Sequence, residues 1–405
     1  MDNPTPVADP APLRINLVLP KDSVSGGIRV LAIYAQRLRE RGHTVTVIAQ
    51  PPRRFKLRGR IQHWIKRGFK PPPKQPSYFD EGPVRLRVLD KARPVVDADL
   101  PDADVVLATW WETAPWVANL SPSKGHKAYF VQDYGAPGQP LEHLVETWKL
   151  PLRLISISSF ISGLIKEHTG RDADLITNGV DLDRFHAPPR TKQPTPTVGL
   201  VYRIGPNKNL AMTLEALRLA RQELPDLRVL GFGPRAPKQH EPEVERGDFL
   251  WNASDQQVID RYRACDAWLF ATKREGFGLP VLEAMACRTP VIATPAGAAP
   301  ELLAGGGGWI VPHDDAKAMA QRIVELAGMT NDAWLGVSDA AHATAQANHW
   351  GRATQRLETV LRDTAAGRMM PSGPAVPVAN MPPDPSTDAH ATPPVPPTTP
   401  ETAPC

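Results

Sequence analysis

Lys273-Arg274-Glu275-Gly276-Phe277-Gly278-Leu279-Pro280-Val281-Leu282-Glu283-Ala284-Met285-Ala286 sets two carboxylates eight positions apart, with two glycines and a proline between them. The apolar run from Ala267 to Thr272 before it reads as a buried strand, and Pro290 to Thr294 after it reads as the next. Pro280 suits the first turn of a helix, where a missing N–H costs nothing. Gly276 and Gly278 would let bare backbone approach a ligand. The result is strand, glycine loop, helix, strand. Such a loop lies at the carboxyl end of a parallel strand, where open α/β sheets bind ligands.

Loop amides and a helix N-terminus favour a phosphate or sugar oxygen. Two carboxylates beside an anion site make sense when the ligand also carries hydroxyls, as a nucleotide-sugar does. The alternative is an ordinary helix start with a surface glutamate. The segment resembles the Glu, seven residues, Glu signature of the retaining glycosyltransferases of the GT-B fold, family 4 or group 1. The match includes Gly-Phe-Gly-Leu-Pro and Glu-Ala-Met-Ala. The resemblance implies that Glu275 contacts the donor sugar and that the loop Gly276, Phe277, Gly278, Leu279 holds sugar and phosphate oxygens. It also implies that Glu283 binds the ribose.

The 405 residues suffice for two domains with full cores. With 47 basic against 43 acidic residues there is no overall nucleic-acid signature. Cys265, Cys287 and Cys405 have no metal spacing and form no disulfide framework, which fits a reducing cytoplasm. No signal peptide or run of ~20 apolar residues is found, so the expectation is a cytoplasmic protein, at most peripheral on the inner face of the membrane. From Gly367 the chain turns to Pro, Thr, Ala and Ser and holds 12 of the 45 prolines. Such a tail, 367–405, is expected to be disordered.

Between these ends, strands and helices alternate in two series, separated by a Pro-, Lys- and Thr-rich linker from His186 to Pro196. Two doubly wound, Rossmann-like α/β domains facing a central cleft, the GT-B arrangement, are therefore expected. The first spans 13–186 and would supply the acceptor side. The second spans 197–348 and would hold the donor. By resemblance, the helix at 350–366 returns to the first domain.

Ser25-Gly26-Gly27 follows the first strand and opens a helix. A plain strand-to-helix turn explains it equally well, but it also resembles the family loop that approaches the donor phosphates, which assigns Gly26 and Gly27 there. Arg203 and Lys208 flank the turn after the first strand of the second series. Pre-placed cations stabilise a leaving diphosphate without reorganisation, and the two resemble the family's Arg and Lys that grip it. Solvated surface charge is the other reading. Tyr202 and Asn209 stand where glycines are usual. Asn178-Gly179-Val180-Asp181, then Phe185, matches the family's interdomain segment. Asp181 and Asp183 share a D-x-D spacing that recurs at Asp97/Asp99, Asp102/Asp104 and Asp172/Asp174, so it singles out nothing. No metal and no cofactor are expected, because the nucleotide-sugar is itself a substrate.

The first domain departs from the common pattern. Where many relatives carry a histidine that contacts the sugar 6-hydroxyl, this chain reads Thr109-Trp110-Trp111-Glu112-Thr113-Ala114. Farther on, Gln132-Asp133-Tyr134 replaces a frequent His-Asp pair. These pieces resemble a rhamnosyltransferase-like subgroup of surface-glycan enzymes. Indole in place of imidazole removes a hydroxyl partner and leaves an apolar wall, which suits a methyl group. The expectation is a 6-deoxy donor such as dTDP-rhamnose, with Trp110 and Trp111 setting specificity and Asp133 positioning the acceptor. Half-buried packing is the plainer fate of the two tryptophans.

Residues 53–74 carry nine basic side chains and no acidic one, with Leu57, Ile61, Trp64, Ile65 and Phe69 on one helical face. That pattern suits an anionic membrane surface or a helix with its basic side in water. Membrane contact would suit a lipid-linked acceptor as well as a saccharide. The competing class is a non-catalytic GT-B scaffold that recruits partners through Pro393-Pro394-Val395-Pro396-Pro397. A nucleic-acid binder would rest on 53–74 alone and lacks a stacking platform.

Overall fold

The computed structural model describes residues 11–51, 77–80, 82–135, 141–237 and 240–368. The basic stretch 53–74 and the Pro-rich segment 369–405 lie outside the described residues. Two sheets, parallel throughout, organise the chain. The first contains β1 (Arg14–Leu19), β2 (Thr44–Ala49), β3 (Leu86–Val88), β4 (Val105–Ala108), β5 (His126–Val131), β6 (Arg153–Ser156) and β7 (Asp174–Leu175), in the order β3-β2-β1-β4-β5-β6-β7. The second contains β8 (Thr197–Val201), β9 (Arg228–Gly233), β10 (Asp248–Trp251), β11 (Ala267–Phe270), β12 (Val291–Ala293) and β13 (Gly308–Ile310), in the order β10-β9-β8-β11-β12-β13.

Strands buried on both faces read as continuous apolar runs, and β4 and β11 are buried at every position. In both sheets the order reverses between the first and fourth strands, β1 against β4 and β8 against β11. Crevices at such reversals are where doubly wound sheets take ligands. The loops after these four strands therefore define the site. They carry Gly26 and Gly27, Thr109 to Trp111, Arg203 to Lys208, and Lys273 to Gly278.

The expected strands Ala267–Thr272 and Pro290–Thr294 appear, trimmed to Ala267–Phe270 and Val291–Ala293. The short strands β7, β10 and β13 had no sequence signal. β10 follows Gly247 and β13 begins on the last of four consecutive glycines, so neither offers the alternation or length that marks a strand.

Helix Gly26–Glu40 starts at Ser25, whose hydroxyl accepts from the Ile28 N–H. Its buried face, Ile28, Leu31, Ala35 and Leu38, covers the first sheet. Helix Trp350–Ala365 buries Trp350, Ala353, Leu357 and Leu361 and packs on helix Gly26–Glu40 and on β5. Tyr34 meets Phe130 and Trp350 edge-on, with ring centroids 5.6 and 5.3 Å apart. The Asn178–Val180 segment locks the start of that helix. The Val180 N–H donates to the Asn348 carbonyl at 3.0 Å, and the Trp350 N–H to the Val180 carbonyl at 3.2 Å. A side chain on Gly179 would collide with the His349–Trp350 backbone.

Candidate active site

The second-domain side is built by three loops. Helix Leu279–Ala286 begins at Gly278, which has φ 93°, a left-handed conformation that favours glycine, and Pro280 lies in its first turn. Phe277 is buried, and its carbonyl accepts from the Ala298 N–H at 2.9 Å, which fixes the loop from below. Lys208 forms an ion pair with Glu275. The Lys273 N–H donates to the Asn207 carbonyl at 2.8 Å, so the turn after β8 and the loop after β11 are stitched together. Asp314 accepts from Lys273 Nζ at 2.7 Å and from Asn209 Nδ2 at 3.1 Å. Arg203 is exposed and makes no side-chain hydrogen bond or ion pair with a described residue.

Gly276 differs from the expectation that its bare backbone faces a ligand. A Cβ there would strike the Gln132 carbonyl of the first domain, so the missing side chain is what lets the domains meet. The domains also join through Arg274, whose guanidinium lies 4.0 Å above the Tyr134 ring and donates to the Tyr134 carbonyl. A third contact runs from the Ser159 N–H to the half-buried Glu301 carboxylate at 3.3 Å.

Glu283, on the second turn of its helix, is 9% exposed. Its Oε2 accepts from the Tyr262 hydroxyl at 3.0 Å, and its Oε1 lies 3.5 Å from Arg29 of the first domain. Burial raises its pKa, and Arg29 and Tyr262 pull it back. Glu283 and Leu279 open into an interdomain cleft of about 540 Å³, lined also by Arg29, Gln36, Arg37, Arg184 and Trp350. That volume lies within the usual range for ligand sites, about 300 to 1,000 Å³.

On the first-domain side, Trp110 and Trp111 are half-buried and line a small recess with Thr109, Tyr129, Gln132 and Asp133. Thr113 locks this turn: its hydroxyl accepts from the Thr109 and Trp110 amides at 3.0 and 3.1 Å and donates to the Trp110 carbonyl at 2.8 Å. Burial pushes the Asp133 carboxyl up to about 6, against the Tyr134 and Gly135 amides and Arg274, while Glu275 across the cleft raises it further. Gln132 is a site residue that the sequence singled out only as part of a pair. It is 8% exposed, its Oε1 has no hydrogen-bond partner among the described residues, and its carboxamide lies against Gly27. Arg29 and Tyr262 gave no sequence signal of their own: Arg29 follows the Gly26–Gly27 turn but looks like an ordinary helical arginine, and Tyr262 lies near no motif. Gly26 has open space around it. Among the described residues no cluster of three metal-ligating side chains occurs, and no helix is long and apolar enough to cross a membrane.

Two parallel α/β domains with this strand order, meeting at a cleft, define the GT-B class. The model for "Glycosyltransferase Family 4" matches residues 24–184, and that for "Glycosyl transferases group 1" matches 195–328. The chain has the GT-B fold and carries one domain matching each of these two glycosyltransferase models. It is 30% identical over 38% of its length to the putative colanic acid biosynthesis glycosyltransferase WcaL of Escherichia coli, covering 42% of that protein. It is 27% identical to the phosphatidyl-myo-inositol mannosyltransferase of Mycolicibacterium smegmatis, over 84% of this chain and 90% of the relative. Matches to WcaL and to the D-inositol 3-phosphate glycosyltransferase of Saccharomonospora viridis span about half the length of those proteins, 42% and 50%. Among solved structures, Anabaena HepE in complex with UDP and glucose superposes with a TM-score of 0.64 at 18% identity, covering 87% of this chain and all of that one.

Proposed function

We propose that this chain is a retaining, metal-independent hexosyltransferase that moves a sugar from a nucleoside diphosphate donor to a hydroxyl of a saccharide or lipid-linked acceptor in surface polysaccharide synthesis. The observation that carries the reading is the Lys208–Glu275 ion pair at the β8/β11 crevice, with Glu283 on the helix that follows and open to the interdomain cleft. Relatives named for colanic acid and inositol-lipid glycosylation support the reaction class.

In this reading Arg203 and Lys208 neutralise the diphosphate, doing the work otherwise given to a metal ion, and the loop Gly276–Leu279 adds its amides. Glu275, released from Lys208 when phosphate takes the ammonium, binds a hydroxyl of the donor sugar. Glu283 accepts the ribose hydroxyls. Gly26 and Gly27 approach the phosphates from the first domain. The acceptor hydroxyl, oriented by Asp133, attacks the anomeric carbon on the face from which the diphosphate leaves. Its proton passes to the departing phosphate oxygen.

The Trp110 and Trp111 wall favours a 6-deoxy sugar, with dTDP-rhamnose as the donor to try first. The unpaired Gln132 Oε1 supports hydroxyl recognition beside it. The lipid-linked acceptor rests on the composition of 53–74, and flotation with anionic liposomes tests it. The main experiment is donor hydrolysis and transfer with dTDP-rhamnose, UDP-glucose and GDP-mannose, with the anomeric configuration of the product read by NMR. Turnover with UDP-glucose and none with dTDP-rhamnose sinks the donor assignment, and an inverted product sinks the mechanism.

A further inference from the structure

Glu283 is fixed by groups from both domains. Tyr262 comes from helix Asp255–Arg263 of the second domain, and Arg29 from helix Gly26–Glu40 of the first. Arg184, in the interdomain segment, is close enough to stabilise the carboxylate charge, while the Cys287 thiol at the end of the same helix faces it as well. Asp181, Asp255, Arg37 and Glu40 line the same cleft, and Arg184 is paired with Asp255. That pairing leaves Arg29 as the one guanidinium in hydrogen-bond range of Glu283 among the described residues.

We propose that Arg29 is a cross-domain positioning residue: it keeps the Glu283 carboxylate charged and turned into the cleft, ready to accept the hydroxyls of a nucleotide ribose. The inference rests on the nucleotide-sugar reading of this cleft. Each carboxylate oxygen accepts about two hydrogen bonds. The Tyr262 hydroxyl uses one site on Oε2, and the single 3.5 Å approach of Arg29 to Oε1 leaves lone pairs for hydroxyls. Burial makes the Tyr262 phenol harder still to ionise, so it remains a donor. Glu283 is a carboxylate whose burial favours the neutral acid, and a protonated carboxyl has one acceptor fewer to offer. Removing Arg29 takes away the largest influence opposing that protonation. Because Arg29 belongs to the first domain, the charge on a second-domain ligand-binding group depends on the two domains being together.

The test is calorimetric titration with UDP, GDP, ADP and dTDP from pH 5 to 8.5, on the wild type, Arg29→Gln and Arg29→Lys. In Arg29→Gln the pH below which affinity falls moves up by about one unit, so binding weakens by up to about tenfold towards the acid end of the range and changes less than about threefold at pH 8.5. Arg29→Lys restores the wild-type profile, and in turnover assays the change appears in donor KM with kcat nearly constant. A purely structural role weakens binding by one factor at every pH, and that result, or an unchanged profile, overturns the proposal while leaving the nucleotide-sugar reading intact. A wild type that binds none of the four nucleotides overturns that reading, and the role of Arg29 falls with it.

Discussion

The two faces of the cleft are built by the same sheet topology but in different ways. On the second-domain face, Glu275 and Glu283 lie on one loop and the helix that follows it, and Lys208 reaches Glu275 from the neighbouring loop. On the first-domain face, Gly26 and Gly27, Trp110 and Trp111, and Gln132 and Asp133 come from three separate strand ends and meet only because β1, β4 and β5 are adjacent. A site encoded in one continuous segment carries its own spacing. A site assembled by a sheet has none until the sheet is known.

The sharpest way to break the contrast is Glu275→Ala. If the second-domain segment holds the transition state, kcat falls by about 10²-fold or more, roughly 2.7 kcal/mol, because the contact tightens as the glycosidic bond breaks. Steady-state assay with the best donor decides it, and near-native turnover removes Glu275 from its role.

Asp133→Asn probes the assembled face. A carboxyl raised from 3.8 to about 6 in the folded chain contributes stability that is complete below pH 4 and is lost as pH rises through 6. At pH 8 the buried carboxylate is therefore a burden that asparagine lacks, while the asparagine oxygen still accepts from the Tyr134 and Gly135 amides. The variant is expected to be more stable at pH 8 by up to roughly 2 kcal/mol, with the gain gone by pH 4 and turnover reduced. Chemical denaturation at the two pH values measures it. Equal gains at both would mean that the carboxylate does not titrate in the recess.

Trp110→His asks whether the apolar wall sets donor preference. Restoring a hydrogen-bonding ring moves the ratio of kcat/KM for dTDP-rhamnose and UDP-glucose toward the hydroxymethyl sugar by about tenfold. An unchanged ratio returns Trp110 to packing.

What the sequence displayed follows from the same contrast. β11 and β12 were legible as continuous apolar runs, and the Glu275–Glu283 segment because its glycines, proline and carboxylates sit at fixed spacing. β10 and β13 were not, being short edge strands next to glycines. Arg29 and Tyr262 were silent for a different reason. Each looks like an ordinary helical residue until a chain segment more than twenty positions away brings Glu283 to it. The unpaired oxygen of Gln132 is likewise a property of its surroundings.

Arg288 shows that even the legible segment contains a residue whose reason lies elsewhere. It follows the motif helix with φ 58°, a left-handed conformation in which a side chain costs about 1 kcal/mol relative to glycine. The arginine has compensating contacts: its Nε donates to the Ala187 carbonyl at 3.1 Å, its guanidinium pairs with Asp339, and its own carbonyl accepts from the Ser338 hydroxyl at 2.8 Å. Arg288→Gly relieves the backbone and loses the first two contacts, so these effects oppose each other and the net change stays within about 1 kcal/mol. Arg288→Ala keeps the strain and loses the contacts, and is expected to be the less stable of the two by about 1 kcal/mol. Thermal denaturation of both variants gives the order. Equal stability would mean that the left-handed turn relaxes, and that the side chain rather than the backbone conformation is what the position requires.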